Sequence, residues 1–212
     1  MADQEEIKMK ILLIGESKVG KTCLINSYVI RSFNINQLST VGLDFRTKKL
    51  DIQGKQIILN IYDTAGQERF RNLATGYMKS ADGFLVCFDL TSESTLENVT
   101  SWINSIKNTA RKNASMLIIG NKSDLNEDRE VTTEQGKQFA AKNGIDYLET
   151  SSKMHIGVDE AFETLVKKIL EQREIEEGLS DKNDEGGSKG VQLGNTKDTK
   201  EKGKNKEKGC CK

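Results

Sequence analysis

The sequence predicts an α/β fold with three layers, in which helices cover both faces of a six-stranded, mostly parallel sheet. Six short apolar runs recur between residues 10 and 150, each rich in Ile, Val, Leu or aromatic residues. Runs of this length suit buried or half-buried strands. Helical patterns lie between several of them, and strands that alternate with helices favour a parallel sheet. Only a turn containing Gly54 separates the second and third runs, so we expect a hairpin and one antiparallel edge strand.

The predicted strands are KILLI, FRTKKLDI, IILNIYD, FLVCFDL, SMLIIG and IDYLET, at residues 10–14, 45–52, 57–63, 84–90, 115–120 and 145–150. One helix is expected to begin near Lys21. Two apolar stripes at helical spacing, over residues 96–106 and 158–169, predict two more helices that pack on the sheet. Ser94 and Glu97 have the spacing of a capping box at the start of the first of these stripes.

The composition changes along the chain and predicts a folded domain followed by a tail. We assign residues 1–7 to a flexible N-terminus, 8–172 to the domain and 173–212 to a disordered tail with few large apolar residues. The formal net charge is +0, so no overall field favours a nucleic-acid partner. No run approaches the roughly 20 apolar residues that span a bilayer, and no secretory signal is expected. Cys23 and Cys87 lie in apolar segments and are expected to be reduced core residues of a cytosolic protein.

A phosphate-binding pattern lies between the first strand and the first helix, where residues 15–22 read GESKVGKT. Its glycines let backbone N–H groups point at phosphate oxygens, and the helix N-terminus adds partial positive charge. The ammonium of Lys21 suits the β- and γ-phosphates, and the hydroxyl of Thr22 suits Mg²⁺. We therefore expect a nucleoside triphosphate site formed by Gly15, Ser17, Lys18, Val19, Gly20, Lys21, Thr22 and Cys23.

The segment DTAGQERF, residues 63–70, supplies groups that suit the γ-phosphate end of such a site. Asp63 ends a predicted strand, where its carboxylate can reach Mg²⁺ through a bound water. Gly66 has no side chain, so its N–H can approach the γ-phosphate closely, and Gln67 is suited to orienting a water. A contact that exists only while this phosphate is bound makes the following segment a switch.

Two further motifs, NKSD at 121–124 and ETSSK at 149–153, indicate guanine as the base. A carboxylate at Asp124 can accept hydrogen bonds from the N1–H and 2-amino groups of guanine, and adenine lacks both donors. Both motifs follow predicted strands, so they should meet at the crevice where open α/β sheets bind ligands. The residues expected there are Asn121, which ties this loop to the phosphate loop, Lys122, Asp124, Ser151, Ser152, whose N–H suits guanine O6, and Lys153.

In these motifs, over residues 8 to about 172, the chain resembles the Rab family of Ras-superfamily small GTPases, which have a P-loop fold. The marks are STVGLDF at 39–45, DTAGQERFR at 63–71, Ser17 and a terminal cysteine pair. The resemblance implies that Thr40 closes over Mg²⁺ and the γ-phosphate and that Phe33 packs against the guanine. It also implies slow GTP hydrolysis to GDP, with Gln67 and the Thr40 carbonyl holding the attacking water, Lys21 offsetting charge, and an activating protein accelerating the reaction.

The same resemblance implies a membrane-attached switch in vesicle traffic. Cys210 and Cys211 in KGCCK do not fit a C-a-a-X signal, but similar pairs in Rab proteins carry two geranylgeranyl chains, which anchor stably. The implied partners are an exchange factor, an activating protein, a GDP-dissociation inhibitor or escort protein, and effectors that read Phe45, Tyr62 and Tyr77. We expect a monomer on the cytoplasmic face of intracellular membranes, with a cytosolic pool.

The chain departs from the Rab pattern at four positions. Lys18 stands where many relatives have glycine, Tyr62 replaces a tryptophan, Met78 replaces a second tyrosine after Tyr77, and Ser152 replaces an alanine.

Among alternative functions, a P-loop kinase or ATPase lacks support because the sequence has no recognisable lid domain or acceptor-substrate site. The presence of Gln67 argues against a GTPase-like protein without hydrolysis. A small GTPase that regulates another membrane or cytoskeletal process remains the nearer alternative.

Overall fold

A computed structural model describes residues 6–37, 40, 42–64 and 71–184, without the side chains of residues 71–74, 177 and 179–184. Its elements in chain order are β1 (Ile7–Ile14), α1 (Lys21–Ile30), β2 (Leu43–Ile52), β3 (Lys55–Thr64), α2 (Arg71–Met78), β4 (Gly83–Asp89), α3 (Glu93–Thr109), β5 (Ser115–Asn121), α4 (Thr133–Asn143), β6 (Asp146–Thr150) and α5 (Val158–Asp184). No helix within these ranges is long and apolar enough to cross a membrane.

The strands form one six-stranded sheet in the order β2-β3-β1-β4-β5-β6. β2 pairs with β3 antiparallel, and the remaining neighbours pair in parallel. The hairpin turn is formed by Gln53 and Gly54, at φ 57° and 75°, which is the positive-φ pair that matches the twist of two-residue hairpins. The predicted fold class is therefore confirmed, with the antiparallel strand at the sheet edge.

The sheet is covered on both faces because successive residues of its central strands point to opposite sides. In β1, Ile11 and Leu13 belong to one apolar cluster, and Leu12 and Ile14 belong to another. Residues of α1 and α5 complete the first cluster, and residues of α3 complete the second. Both predicted helical stripes are buried in these clusters: Leu96, Val99, Ile103 and Ile106 from α3, and Val158, Ala161, Phe162, Leu165, Val166 and Ile169 from α5.

The expected capping box at the start of α3 is wrong. The N-cap is Ser92, which makes no side-chain capping bond, and the helix begins at Glu93. Ser94 thus lies inside the first turn, where a hydroxyl cannot cap. A capping box does occur at α4, where Thr132 and Gln135 exchange side-chain and backbone hydrogen bonds in both directions.

The boundaries of the folded part differ from expectation at both ends. β1 begins at Ile7, and α5 remains helical through Asp184, so residues 173–184 are helical and not disordered as expected. Arg173 and the glutamates of this segment are good helix formers, and Arg173 pairs with Asp82 and Glu174 with Lys55 at the start of the extension. The chain divides into two units, residues 1–176 and 177–212. The second is described only as far as Asp184, and residues 185–212, with Cys210 and Cys211, lie outside the described residues.

Cys23 and Cys87 are free thiols, and they differ in burial. Cys87 is buried in β4, as expected, and this burial raises the pKa of its thiol to about 12. Cys23 is only partly buried. It faces the cavity described below, so it is not the core residue that its apolar neighbours predicted.

Candidate functional site

The loop between β1 and α1 has a backbone that only glycine permits at two positions. Gly15 has φ 142°, and a Cβ built there would lie 2.1 Å from the carbonyl oxygen of Cys87. Gly20 has φ 93°, and its Cβ would lie 2.4 Å from Asn121 Nδ2. A side chain at either position would therefore displace the loop from the strands β4 and β5. Because α1 begins at Lys21, its unpaired N–H groups open toward the loop.

Lys21 is held inside this loop by two backbone carbonyls. Its ammonium donates to Gly15 O at 2.9 Å and to Glu16 O at 2.8 Å. Burial lowers the pKa of this ammonium, while nearby anionic groups such as Asp63 oppose the shift. A buried cation of this kind gains from an anionic ligand, and the loop geometry is that of a phosphate cradle.

Three oxygen-bearing side chains meet beside Lys21. Asp63 Oδ2 accepts a hydrogen bond from Thr22 Oγ1 at 2.5 Å and another from Thr40 Oγ1 at 3.0 Å. The two hydroxyls lie 2.7 Å apart. Asp63 is 3 % exposed, and its second oxygen, Oδ1, is buried without a hydrogen-bond partner. Burial raises the pKa of the Asp63 carboxyl, although the two threonine hydroxyls oppose this. A hard divalent cation such as Mg²⁺ fits this set, since it prefers oxygen ligands and would neutralise the buried charge.

The other end of the site is built from the loops that follow β5 and β6. Asp124 Oδ1 accepts a hydrogen bond from the buried Ser151 Oγ at 2.6 Å. Lys122, at φ 68°, places its ammonium 2.5 Å from Asp89 Oδ2. Asn121 Nδ2 donates to Val19 O in the phosphate loop at 2.9 Å. Asn121 therefore joins the two ends of the site.

A cavity of about 460 Å³ runs between these two ends. Of the site residues predicted from the sequence, those lining it are Ser17, Lys18, Gly20, Lys21, Thr22, Cys23, Phe33, Thr40, Asn121, Lys122, Asp124, Ser152 and Lys153. Gly15, Val19, Asp63 and Ser151 support lining residues through the contacts given above. Gly66 and Gln67 lie outside the described residues.

A model of the Ras family matches residues 10–171. The chain belongs to the Ras family. It is 44% identical to Ras-related protein Rab-13 of Bos taurus, over 80% of this chain and 84% of that protein. It is 39% identical to Ras-related protein Rab-8A of Gallus gallus and to Ras-related protein Rab-8B of Homo sapiens, in each case over 91% of this chain and 92% of the relative. It is a Rab-like small GTPase.

Several cavity-lining residues of this Rab-like GTPase were missed by sequence reasoning: Asn34, Ile35, Gln37, Thr64 and Leu125. Thr64 and Leu125 directly follow predicted site residues, and that adjacency was a usable signal. Asn34, Ile35 and Gln37 lie in the segment between α1 and Thr40, which has no apolar periodicity to place it. Their position depends on tertiary contacts that sequence spacing does not reveal.

The aromatic residues expected to meet effectors form a continuous surface in the Rab-like GTPase. The ring centroids of Phe45 and Tyr62 are 5.3 Å apart, and those of Tyr62 and Tyr77 are 5.4 Å apart. Lys10, which sequence reasoning missed, places its ammonium 4.7 Å from the centroids of both tyrosine rings. Its ammonium also donates to Ser80 Oγ at 2.7 Å. Lys10 thereby holds two of the three rings through cation–π contacts.

Proposed function

We propose that this Rab-like small GTPase acts in vesicle trafficking by alternating between GDP and Mg²⁺·GTP in the cavity described above. The observation that carries the proposal is that one cavity is lined at one end by Lys21, Thr22 and Thr40 and at the other by Asp124. The first end has the groups that a magnesium-chelated triphosphate needs. The second has the acceptor that the edge of guanine needs. A cavity with only one of these ends would fit many ligands.

The phosphate loop supplies the binding groups for the phosphates. The N–H groups of residues 15–22 and the positive end of α1 would bind phosphate oxygens, and the Lys21 ammonium would offset the charge of the β- and γ-phosphates. The carbonyls of Gly15 and Glu16 already hold that ammonium in the loop. Lys21 therefore needs little reorganisation when the nucleotide arrives.

Thr22, Thr40 and Asp63 are the residues that would hold Mg²⁺, with Asp63 acting directly or through a water. The cation supplies positive charge that offsets the charge on the β- and γ-phosphate oxygens. The unpaired Oδ1 of Asp63 is the part of the site that this assignment explains best. Thr40 belongs to the segment that would follow the γ-phosphate, and loss of that phosphate would release it.

Guanine selectivity would come from Asp124 and the backbone N–H of Ser152. Asp124 uses Ser151 to fix one carboxylate oxygen, so the side chain is oriented before the base binds. The N1–H and 2-amino groups of guanine would both donate to this carboxylate. Lys122, Lys153 and Phe33 line the same cavity and would pack against the base and its edge.

Hydrolysis would proceed by in-line attack of water on the γ-phosphate, with Gln67 and the Thr40 carbonyl holding the water. Lys21 offsets the charge that develops on the phosphate oxygens. We find no arginine suited to act in cis among the described residues that line the cavity. Intrinsic hydrolysis is therefore expected to be slow. The stimulation by activating proteins that is typical of the superfamily, about 10⁵-fold, corresponds to roughly 7 kcal/mol of barrier.

Attachment to membranes would use two lipid chains on Cys210 and Cys211, aided by the lysines of the tail, which favour an anionic leaflet. The protein would then act as a monomer on the cytoplasmic face of intracellular membranes, with a cytosolic pool bound to a GDP-dissociation inhibitor or escort protein. An exchange factor and an activating protein would set the nucleotide state. Effectors would read Phe45, Tyr62 and Tyr77.

Titration calorimetry tests the proposal with nucleotide-stripped full-length protein. GDP and GTP are expected to bind at least 1,000-fold more tightly than ATP, since adenine leaves the Asp124 carboxylate without both donors, at a cost of about 4 kcal/mol or more. Removing Mg²⁺ with EDTA should weaken GTP binding more than GDP binding. Comparable displacement of GDP by ATP would instead favour a P-loop kinase or ATPase.

A further inference from the structure

We infer that the side-chain hydroxyl of Ser152 is a positioning group that slows the release of guanine nucleotide by fixing the amide of Asn121. The inference rests on the proposed function, because it assumes that a guanine nucleotide occupies the cavity. It concerns the side-chain hydroxyl of Ser152 and is separate from the backbone N–H of the same residue, which the proposed function assigns to the guanine base.

Two hydroxyls hold one oxygen of Asn121. Ser152 Oγ and Thr150 Oγ1 each donate to Asn121 Oδ1 at 3.1 Å. All three residues are buried, with Ser152 5 %, Thr150 0 % and Asn121 1 % exposed. A carbonyl oxygen has two lone pairs, so these two donors satisfy it completely. The amide is thereby fixed with its oxygen toward the end of β6 and the loop that follows, and its nitrogen toward the phosphate loop.

The nitrogen of the Asn121 amide is bound to the phosphate loop, where only a donor fits. Asn121 Nδ2 donates to Val19 O at 2.9 Å, and the nitrogen lies so close to Gly20 that a Cβ there would be only 2.4 Å away. If the amide turned over, its oxygen would face the Val19 carbonyl, and two acceptors would repel each other. Correct orientation of Asn121 therefore keeps the phosphate loop against β5.

Ser152 connects this network to the base end of the cavity, because Ser152 lines the cavity itself. The contacts Ser152–Asn121–Val19 join the guanine end and the phosphate end of the site through one amide group. An alanine at position 152 would leave one lone pair of a buried oxygen without a donor, and only Thr150 would then orient the amide. The phosphate loop would be held less firmly.

The direct test is the release rate of GDP carrying a fluorescent ribose label, measured on full-length protein with Mg²⁺ and excess unlabelled GDP. Loss of one buried neutral hydrogen bond predicts release that is about 2- to 12-fold faster in Ser152→Ala. Ser27→Ala is the matched control, since Ser27 is also buried and its hydroxyl is bonded, to His155 Nδ1 at 2.8 Å, in α1 away from the cavity lining. This control should release GDP at the wild-type rate.

A double-mutant cycle with Asn121→Ala separates positioning from general loss of stability. If Ser152 acts through Asn121, Ser152→Ala should produce little further acceleration in a chain that already carries Asn121→Ala. Wild-type release by Ser152→Ala, equal acceleration by Ser27→Ala, or multiplicative effects in the cycle would each overturn the inference. Failure of the wild-type protein to retain GDP at all would overturn the proposed function instead.

Discussion

Replacing Asp63 with Asn tests the metal site most directly. Asp63 carries a buried negative charge whose Oδ1 has no partner, while its Oδ2 already accepts from Thr22 and Thr40. Without a metal ion, Lys21 and the two threonine hydroxyls offset this charge only in part, and its burial remains costly. With Mg²⁺ bound, the same charge becomes the strongest ligand of the set. Asp63→Asn should therefore weaken the response to Mg²⁺ strongly without destabilising the metal-free protein.

The expected shift in melting temperature follows from the linkage between Mg²⁺ binding and folding. A cation present at 100 times its dissociation constant stabilises the folded state by about 2.7 kcal/mol. For a protein of this size, 1 kcal/mol shifts the melting temperature by about 2–4 °C. The GDP-bound wild type should thus melt about 5–11 °C higher in Mg²⁺ than in EDTA, and Asp63→Asn should show less than half of that shift. Scanning calorimetry or fluorescence melting measures both states of both proteins.

Asp146→Asn is the control for this experiment, because Asp146 is exposed and pairs with Lys168 rather than with the site. Its shift between EDTA and Mg²⁺ should equal that of the wild type. The reasoning is refuted if Asp63→Asn keeps half or more of the wild-type response to Mg²⁺. It is also refuted if this variant melts several degrees below the wild type in EDTA, since Asp63 would then stabilise the protein without a cation.

Substitutions at three other positions have definite expected outcomes. Lys18 has φ 67°, so Lys18→Gly should be more stable than Lys18→Ala by about 1 kcal/mol, and equal melting of the two GDP-bound variants would contradict backbone strain there. Asp124→Asn should shift preference from guanine to xanthine nucleotides in a competition assay, and unchanged guanine preference would rule out its contact with the base. Burial tends to raise the pKa of the Glu149 carboxyl, but hydrogen bonds led by that from Arg129 outweigh it, and the net pKa is lowered from 4.5. The ionised Glu149 carboxylate therefore stabilises the folded state at pH values above its unfolded-state pKa. This stabilisation is lost as pH falls through the lower pKa of the folded state. Glu149→Gln should cost about 1 kcal/mol at pH 7 in urea unfolding, and the gap to wild type should narrow below about pH 4; a gap that does not vary with pH would exclude this origin.

The sheet was predictable because each strand is a short apolar run, and such a run is recognised from its own residues without knowledge of its tertiary contacts. All six runs fall within observed strands, apart from residues at their ends such as Leu90 and Ile145. Other helices gave weaker signals. In α4 the buried residues are Gly136 and Ala140, which make no apolar stripe, and the close fit of Gly136 against Tyr147 appears only in three dimensions.

The site was predictable as a set of residues, because its motifs have fixed spacing and follow strands. Its internal contacts were not predictable. Asn121 and Val19 are separated by 102 positions, and Thr22 and Asp63 by 41. Such pairs depend on how parallel strands place their carboxyl ends side by side. The position of Lys10 between two tyrosine rings likewise depends on the pairing of β1 with β3.

One peptide bond in β3 separates the proposed cation site from the aromatic surface. Asp63 is buried beside Thr22, whereas the preceding residue, Tyr62, contacts the ring of Phe45, because successive side chains of a strand point to opposite faces. Any displacement of the backbone at Asp63 must therefore tilt Tyr62 as well. A partner that binds the Tyr62 ring would therefore be sensitive to whether the cation site at Asp63 is occupied, because the two residues are adjacent in the chain.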